Sequence, residues 1–372
     1  MRHYTPSLRP WMVVLVLNLV YLGVIFAANH ADPKVFVTLG ECFRQCTGQD
    51  GTHCEANAEG YDGQFGYYIA RDPAGSRDCL DAPAYRMQRI LLPALGRLLS
   101  LGRTPLIHWA FLAINLIALV GGTALLEGLL VTERASRWYA LTYGLFAGVF
   151  MAVRLSTTEA LAYGLVIAGI WFGQRNRLGV AAIMLALGGL AKETTGVFAA
   201  GYLLYVALHR RWRDAVRMAL VVGLPFAAWQ IVLYAWLGNL GVGSGGAKAT
   251  PFEIVPFNGV LKIGTEGSLA AFLVLGVLLV IPAAVLPSLW ALWWTVRDLR
   301  GGTWEPYTCL LLANAALMPF VPFSTYREFL GLLRFMPGLV LMVVLYAAHD
   351  RLRRLLLYST LWIMLILFVF SG

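Results

Sequence analysis

Charge is scarce in this chain: 13% of its 372 residues are Asp, Glu, Lys or Arg, where a soluble domain carries roughly a quarter. With 59% hydrophobic residues, that shortage excludes an ordinary soluble domain and leaves the membrane class. Lysine is scarcer still, 4 residues against 25 arginines, a bias that a GC-rich genome produces and that carries no functional weight. The formal net charge of +9 does not make a nucleic-acid binder, because that needs basic residues gathered on one solvated face. Here they fall in short clusters between apolar runs, so no nucleic-acid partner is expected. No soluble domain is visible, since the longest stretch without a spanning run is roughly residues 29–103. Repeats of fixed period, a Ser-His-Asp arrangement and a histidine metal set are also missing: His3, His30, His53, His108, His209 and His349 are scattered. The glycine-rich stretch G-N-L-G-V-G-S-G-G at 238–246 has no Gly-Lys-Ser/Thr ending, which excludes a nucleotide loop and leaves a flexible outer loop, with a mobile lid as the functional alternative.

What the chain does contain is apolar runs. A helix crosses the hydrocarbon core with about 20 residues, and runs of that kind begin at Trp11, Pro105, Trp138, Thr158, Leu178, Thr195, Met218, Ser268, Thr303, Met336 and Leu355. Cytoplasmic loops carry the excess of Lys and Arg. Taking the interruptions at 154–159 and at Lys192-Glu193 as outer turns makes every inner segment basic, from Arg2/Arg9 through Arg210/Arg211/Arg213/Arg217 to Arg351/Arg353/Arg354. The expected fold class is therefore an all-α polytopic membrane protein of about eleven transmembrane helices. It forms a single transmembrane domain over 1–372, with a cytoplasmic N-terminus and a first extracytoplasmic loop at 29–103. The first run, about 18 residues long, is generous for a signal core and reads as a retained anchor.

Four of the five cysteines, Cys42, Cys46, Cys54 and Cys79, fall in that loop. An even number in an exported loop reads as two disulfides. Sequence leaves the three pairings open. The competing four-thiolate metal site lacks paired C-x-x-C knuckles, because the intervening residues number three, seven and twenty-four.

The same loop holds Y-D-G-Q-F-G-Y-Y-I-A-R-D-P at 61–73 and Y-R-M-Q-R-I-L-L-P at 85–93. Apolar residues recur at helical spacing over 65–70 and 86–101, which predicts two helices lying in the interface plane. Asp62 would stand at the start of the first, where a carboxylate caps orphan amides; a plain Asp-Gly turn or cap is the competing reading.

A short cytoplasmic N-terminus, one helix, and a long outer loop with an acidic residue before two interfacial helices resemble the GT-C superfamily of integral membrane glycosyltransferases. The two strings at 61–73 and 85–93 are similar to bacterial mannosyltransferase-like members. The resemblance is strongest over 60–93 and implies a GT-C-like fold in the bacterial plasma membrane with an extracytoplasmic active site. It also implies an inverting transferase that moves a sugar from a polyprenyl-phosphate donor to a glycan, glycolipid or protein acceptor, among membrane lipids, in building the cell envelope. It makes Asp62 the catalytic carboxylate, as general base or orienting group for the acceptor hydroxyl, with Tyr61, Gln64 and Asp72 as further candidates; Asp-Pro at 72–73 reads otherwise as a helix end. One acid suffices because a sugar phosphate already has a good leaving group, unlike the paired carboxylates of glycoside hydrolysis.

An anionic donor needs cations on the outer face. Lys192, Arg327 and Arg334 are the expected phosphate ligands, with Glu193 and Glu328 beside them, and Arg86 and Arg89 are further candidates whose competing reading is a charged face on an amphipathic helix. Arg154 and Glu159 share the turn before the fourth helix without a paired-acid motif, so no cofactor is implied with certainty and a divalent cation stays open. The rival classes are a lipid-linked-glycan transporter or flippase and a non-catalytic assembly subunit. Transporters place ionisable residues at mid-membrane and repeat their halves; here the expected span centres hold neutral Asn115, Gln230 and Asn314.

Overall fold

A computed structural model describes residues 8–48, 54–55 and 58–369; Arg2, His3 and His53 lie outside them. Among the described residues every regular element is helical, and the one β-type contact is an isolated bridge between Leu39 and Gly60. Four helices are long and apolar enough to cross a bilayer: Pro10–Ala28, Thr104–Thr132, Trp212–Leu237 and Leu269–Arg300. A fifth candidate is the pair Phe329–Phe335 and Pro337–His349, bent by 48°. Pro337 explains the bend, since it removes an amide donor and its ring crowds the preceding turn.

These long helices are apolar on nearly all sides yet little covered. Val16, Leu17, Leu19, Val20 and Val24 of Pro10–Ala28 are 44–61% exposed. In water that would be a large unpartnered patch, whereas lipid covers it without penalty. The protein is built to sit in a membrane.

The count of eleven is not reproduced by long helices alone. Glu159–Gly173, Leu178–Ala191, Glu193–Leu208 and Pro306–Phe320 are apolar but shorter; the 15 residues of Glu159–Gly173 rise only about 22 Å. The run from Trp138 is not one helix but three short pieces, Arg137–Ala140, Leu141–Gly144 and Ala147–Arg154. The last packs backbone to backbone: a Cβ on Gly148 would sit 1.9 Å from the Leu333 carbonyl oxygen. The run from Leu355 likewise splits into Arg353–Ser359, Leu361–Met364 and Leu365–Val369. Hydropathy alone does not distinguish such a buried run from a lipid-facing one.

In the 29–103 segment the first expected helix forms as Gly63–Arg71. The second is broken into Pro83–Met87 and Leu91–Leu99. Pro93 accounts for the break, because it cannot donate to the Arg89 carbonyl and its ring crowds that group. The segment has a core of its own: Phe43, Phe65, Tyr68, Ile69, Met87 and Leu92 pack together against Ile107, Phe111 and Leu233 of the long helices and Leu161 of the short helix Glu159–Gly173. It is clamped by two disulfides, Cys42–Cys54 and Cys46–Cys79, while Cys309 is a buried free thiol.

The pairing sets an expected outcome. The four loop cysteines should resist alkylation until reduced, with Cys42–Cys54 and Cys46–Cys79 peptides found by non-reducing mass spectrometry. Separations of 12 and 33 residues correspond to roughly 3 and 4 kcal/mol of loop-closure stabilisation. Replacing Cys46 and Cys79 together should therefore lower the thermal midpoint more than replacing Cys42 and Cys54.

Candidate functional site

Asp62 stands at the start of Gly63–Arg71 but does not cap it: its own backbone is helical and its side chain accepts nothing from the first-turn amides. The reason lies in the next residue. Gly63 presses on the chain at Leu155, where a Cβ would lie 2.0 Å from the carbonyl oxygen, so this turn is driven against the end of Ala147–Arg154. The Asp62 carboxylate points instead at two guanidinium groups. Its Oδ1 lies 3.0 Å from Arg86 Nη1, and its Oδ2 accepts from Arg334 Nη1 at 2.5 Å.

Each of those arginines is held from behind. Arg86 donates from Nε and Nη2 to the two oxygens of Asp81, at 2.7 and 2.8 Å, and lies 4.2 Å over the Phe65 ring. Arg334 donates from Nε to Glu159 at 2.9 Å and from Nη1 to the Tyr61 hydroxyl at 3.2 Å. Lys192 donates to the same Glu159 oxygen at 2.6 Å and to the Arg334 carbonyl at 3.3 Å. Glu159 thus pairs with Lys192 and Arg334 rather than with its sequence neighbour Arg154. Arg89 forks onto Glu193 at 2.8 and 2.6 Å and donates to the Tyr85 hydroxyl at 2.7 Å.

Burial by itself would raise the Asp62 carboxyl, but the Arg86 and Arg334 charges outweigh it and hold the group well below the usual carboxylate range. Glu193 is depressed in the same sense by Arg89 against its burial. Burial pushes the Tyr61 phenol up to about 12. At neutral pH Asp62 is therefore an ionised hydrogen-bond acceptor of low basicity, and Tyr61 a neutral donor.

The cluster lines a cavity of about 1070 Å³. Tyr61, Asp62, Gln64, Arg86, Arg89, Lys192, Glu193, Glu328 and Arg334 of the sequence candidates all border it, and Glu159 lies behind Lys192 and Arg334. Gln64 is structural in its contacts, accepting from Gly40 N at 2.9 Å and donating to the Glu59 carbonyl at 2.6 Å. Two candidates stand apart. Arg327 does not border the cavity; it is 48% exposed and 3.8 Å from Glu328. Asp72 ends Gly63–Arg71 and accepts from Gly75 N at 3.1 Å. The amphipathic-face reading of Arg86 and Arg89 is corrected: their side chains are 11% and 12% exposed and engage the acidic cluster. Both sit near the break that Pro93 introduces, which turns them away from the surface.

Three cavity residues, Asp81, Lys248 and Glu59, escaped sequence reading, as did the contacts made by Gln230 behind the lining. Asp81 orients Arg86, Lys248 pairs with Glu59, and Gln230 accepts from Gly241 N and Val242 N at 2.8 and 3.1 Å. Asp81 had a weak signal, five residues before Arg86. Lys248 and Glu59 had none, because they are 189 residues apart. Among the described residues no group of three or more His, Cys, Asp or Glu is placed to hold a metal ion.

No protein-family model, no curated protein and no solved structure matches this chain.

The pairs differ sharply in how readily they open. Breaking a buried pair by removing one partner costs about 3–5 kcal/mol, whereas an exposed pair contributes about 0–1 kcal/mol. Glu159 is fully buried beneath two cations. Glu159→Ala should therefore destabilise the protein by about 3–5 kcal/mol, read as loss of the thermal midpoint in detergent, and a Lys192→Met change added to it should recover part of that loss by removing one stranded charge.

Proposed function

We propose that this chain is an inverting glycosyltransferase of GT-C-like architecture, with about eleven membrane segments, that transfers a sugar from a polyprenyl-phosphate donor to a glycan, lipid or protein acceptor. The observation that carries the reading is Asp62 held between Arg86 and Arg334 at the wall of the 1070 Å³ cavity. A carboxylate facing the cavity supplies a seat for an acceptor hydroxyl. The guanidinium groups beside it match the forked geometry of a phosphate.

The disulfide-bonded loop itself borders the cavity through Phe43 and residues 59–62. Disulfides persist in oxidising compartments, so this supports an extracytoplasmic active site. The short helices Glu159–Gly173 and Leu178–Ala191 would end below the level of the longer spans and hold the site close to a lipid headgroup.

In the reaction, the acceptor oxygen attacks the anomeric carbon as the bond from that carbon to the phosphate oxygen breaks, so one displacement inverts the centre. Asp62 accepts the hydroxyl hydrogen bond and aims the oxygen. Its depressed basicity makes it an orienting group rather than the final proton acceptor; the departing phosphate, with a second pKa of about 6, is the stronger base and takes the proton. The arginines stabilise the charge that develops on the leaving group. A divalent cation stays open as a cofactor, and at Asp62 it would compete with Arg86 and Arg334 for the carboxylate.

Asp62→Asn should fold, since Arg86 keeps Asp81 and Arg334 keeps Glu159 as ionic partners, and should reduce the transfer rate by roughly 10-fold or more, the loss of a charge-assisted hydrogen bond to the acceptor. Donor binding should hold or tighten, because one competitor for Arg86 and Arg334 has lost its charge. Arg334→Ala should weaken donor binding, by about 1.5–3 kcal/mol for a charge-assisted hydrogen bond. Near-normal transfer by folded Asp62→Asn protein would remove the residue from the mechanism. Comparison of lipid-linked sugars and envelope glycans by mass spectrometry, with and without the gene, tests the class: a missing sugar supports transfer, and accumulation of a complete lipid-linked oligosaccharide supports a flippase.

The low basicity of Asp62 also fixes a pH expectation. A group whose folded pKa is depressed loses its contribution only as pH falls through that low value. Transfer should therefore show no acid limb from Asp62 near the ordinary carboxylate pKa of about 4. An acid limb there that disappears in Asp62→Asn would contradict the ion-paired assignment.

A further inference from the structure

Five cations border the cavity: Arg86, Arg89, Lys192, Lys248 and Arg334. Each already has a carboxylate partner, so an incoming anion competes with a carboxylate for each charge. In four of the pairs the cation is shielded, its side chain only 6–12% exposed, even where the acid, Asp62, is 33% exposed. The fifth differs. Lys248 is 50% exposed, Glu59 is 27% exposed, and one contact joins them. Exposed pairs contribute little net stability and open readily, whereas opening a buried one strands a charge.

Lys248 also stands on the segment best able to follow a ligand. No regular element lies between Leu237 and Asn258, and all residues from 242 to 252 border the cavity. This strap is tied at three points. Gln230 accepts from its Gly241 and Val242 amides, Asp81 accepts from Ala247 N at 3.2 Å, and Thr250 and Ser324 exchange hydrogen bonds at 3.0 Å. The ties on either side of Lys248 keep its ammonium over the cavity while its long stem swings. Glu59, its partner, lies three residues before Asp62.

We infer that Lys248 is the first cation an anionic phosphate group recruits at this site, exchanging Glu59 for a phosphate oxygen before the pairs around Asp62 engage the ligand. The inference rests on the phosphate-donor reading and adds the residue that admits the ligand. It reverses the usual expectation for removing an acid near a cation: Glu59 competes with the ligand, so neutralising it favours binding.

The test uses the full-length protein in lipid nanodiscs. The probe is polyprenyl monophosphate, with the matching polyprenyl alcohol as the uncharged control and soluble inorganic phosphate as the lipid-free anion. Lys248→Ala should weaken monophosphate binding about 10-fold or more, Lys248→Arg should keep it within about threefold, and Glu59→Gln should tighten it several-fold. The monophosphate, but not the alcohol, should slow tryptic cleavage after Lys248 in the unsubstituted protein. Equal protection by inorganic phosphate would identify a free anion as the source and still support Lys248. Monophosphate binding that falls in Arg334→Ala yet is unchanged in Lys248→Ala and Glu59→Gln overturns this inference and leaves the donor reading standing. Binding of the alcohol as tight as that of the monophosphate, or no binding of either phosphate probe, overturns both.

Discussion

Arg334 has a side chain only 10% exposed, on a short helix that bends at Pro337 into a fully packed one. A guanidinium so placed must be neutralised where it stands, since it cannot be deprotonated and an unpaired buried charge costs several kcal/mol. It is met from three directions: Glu159 from the start of one helix, and Tyr61 and Asp62 from the loop that follows the first span. This one requirement ties the disulfide-bonded segment, the middle helices and the C-terminal third into a single arrangement. The cavity wall is its product.

The pairing also decides what kind of acid Asp62 is. A carboxylate in an apolar pocket becomes a better base, while one between two guanidinium groups becomes a worse one. The second situation holds here: Arg86 and Arg334 keep Asp62 a weak base. Lys192 borders the cavity with its charge already engaged, because Glu159 is shared between it and Arg334. The buried cluster balances four cations, Arg86, Arg89, Lys192 and Arg334, against Asp62, Asp81, Glu159 and Glu193.

Around this cluster the scaffold divides into two kinds of helix. Long helices with exposed aliphatic side chains face lipid, while short ones such as Ala147–Arg154 are wrapped in protein and owe their shape to close backbone packing. The irregular strap at 238–252 bridges the two kinds, beginning at the end of a lipid-facing helix and returning to the turn before Phe323–Arg327. Its glycines suit a segment that must follow the cavity rim without side chains to place.

Composition, hydropathy and the four loop cysteines were enough to read an all-helical membrane protein with a disulfide-clamped loop, because these depend on counts and local runs. Asp62, Arg86, Arg89, Lys192 and Arg334 were nameable for the same reason, as charges interrupting apolar sequence. Which cysteine pairs with which, and where the second loop helix breaks, needed the folded chain. So did the fact that Arg327 faces away while its neighbour seven residues on is buried at the site. Sequence spacing along one helix fixes faces, but Asp62 and Arg334 are 272 residues apart, and only the packing of Gly63 on Leu155 and the bend at Pro337 bring them within hydrogen-bond distance. A charge's partner is a property of the tertiary structure, and at this site the partner decides how basic the carboxylate is.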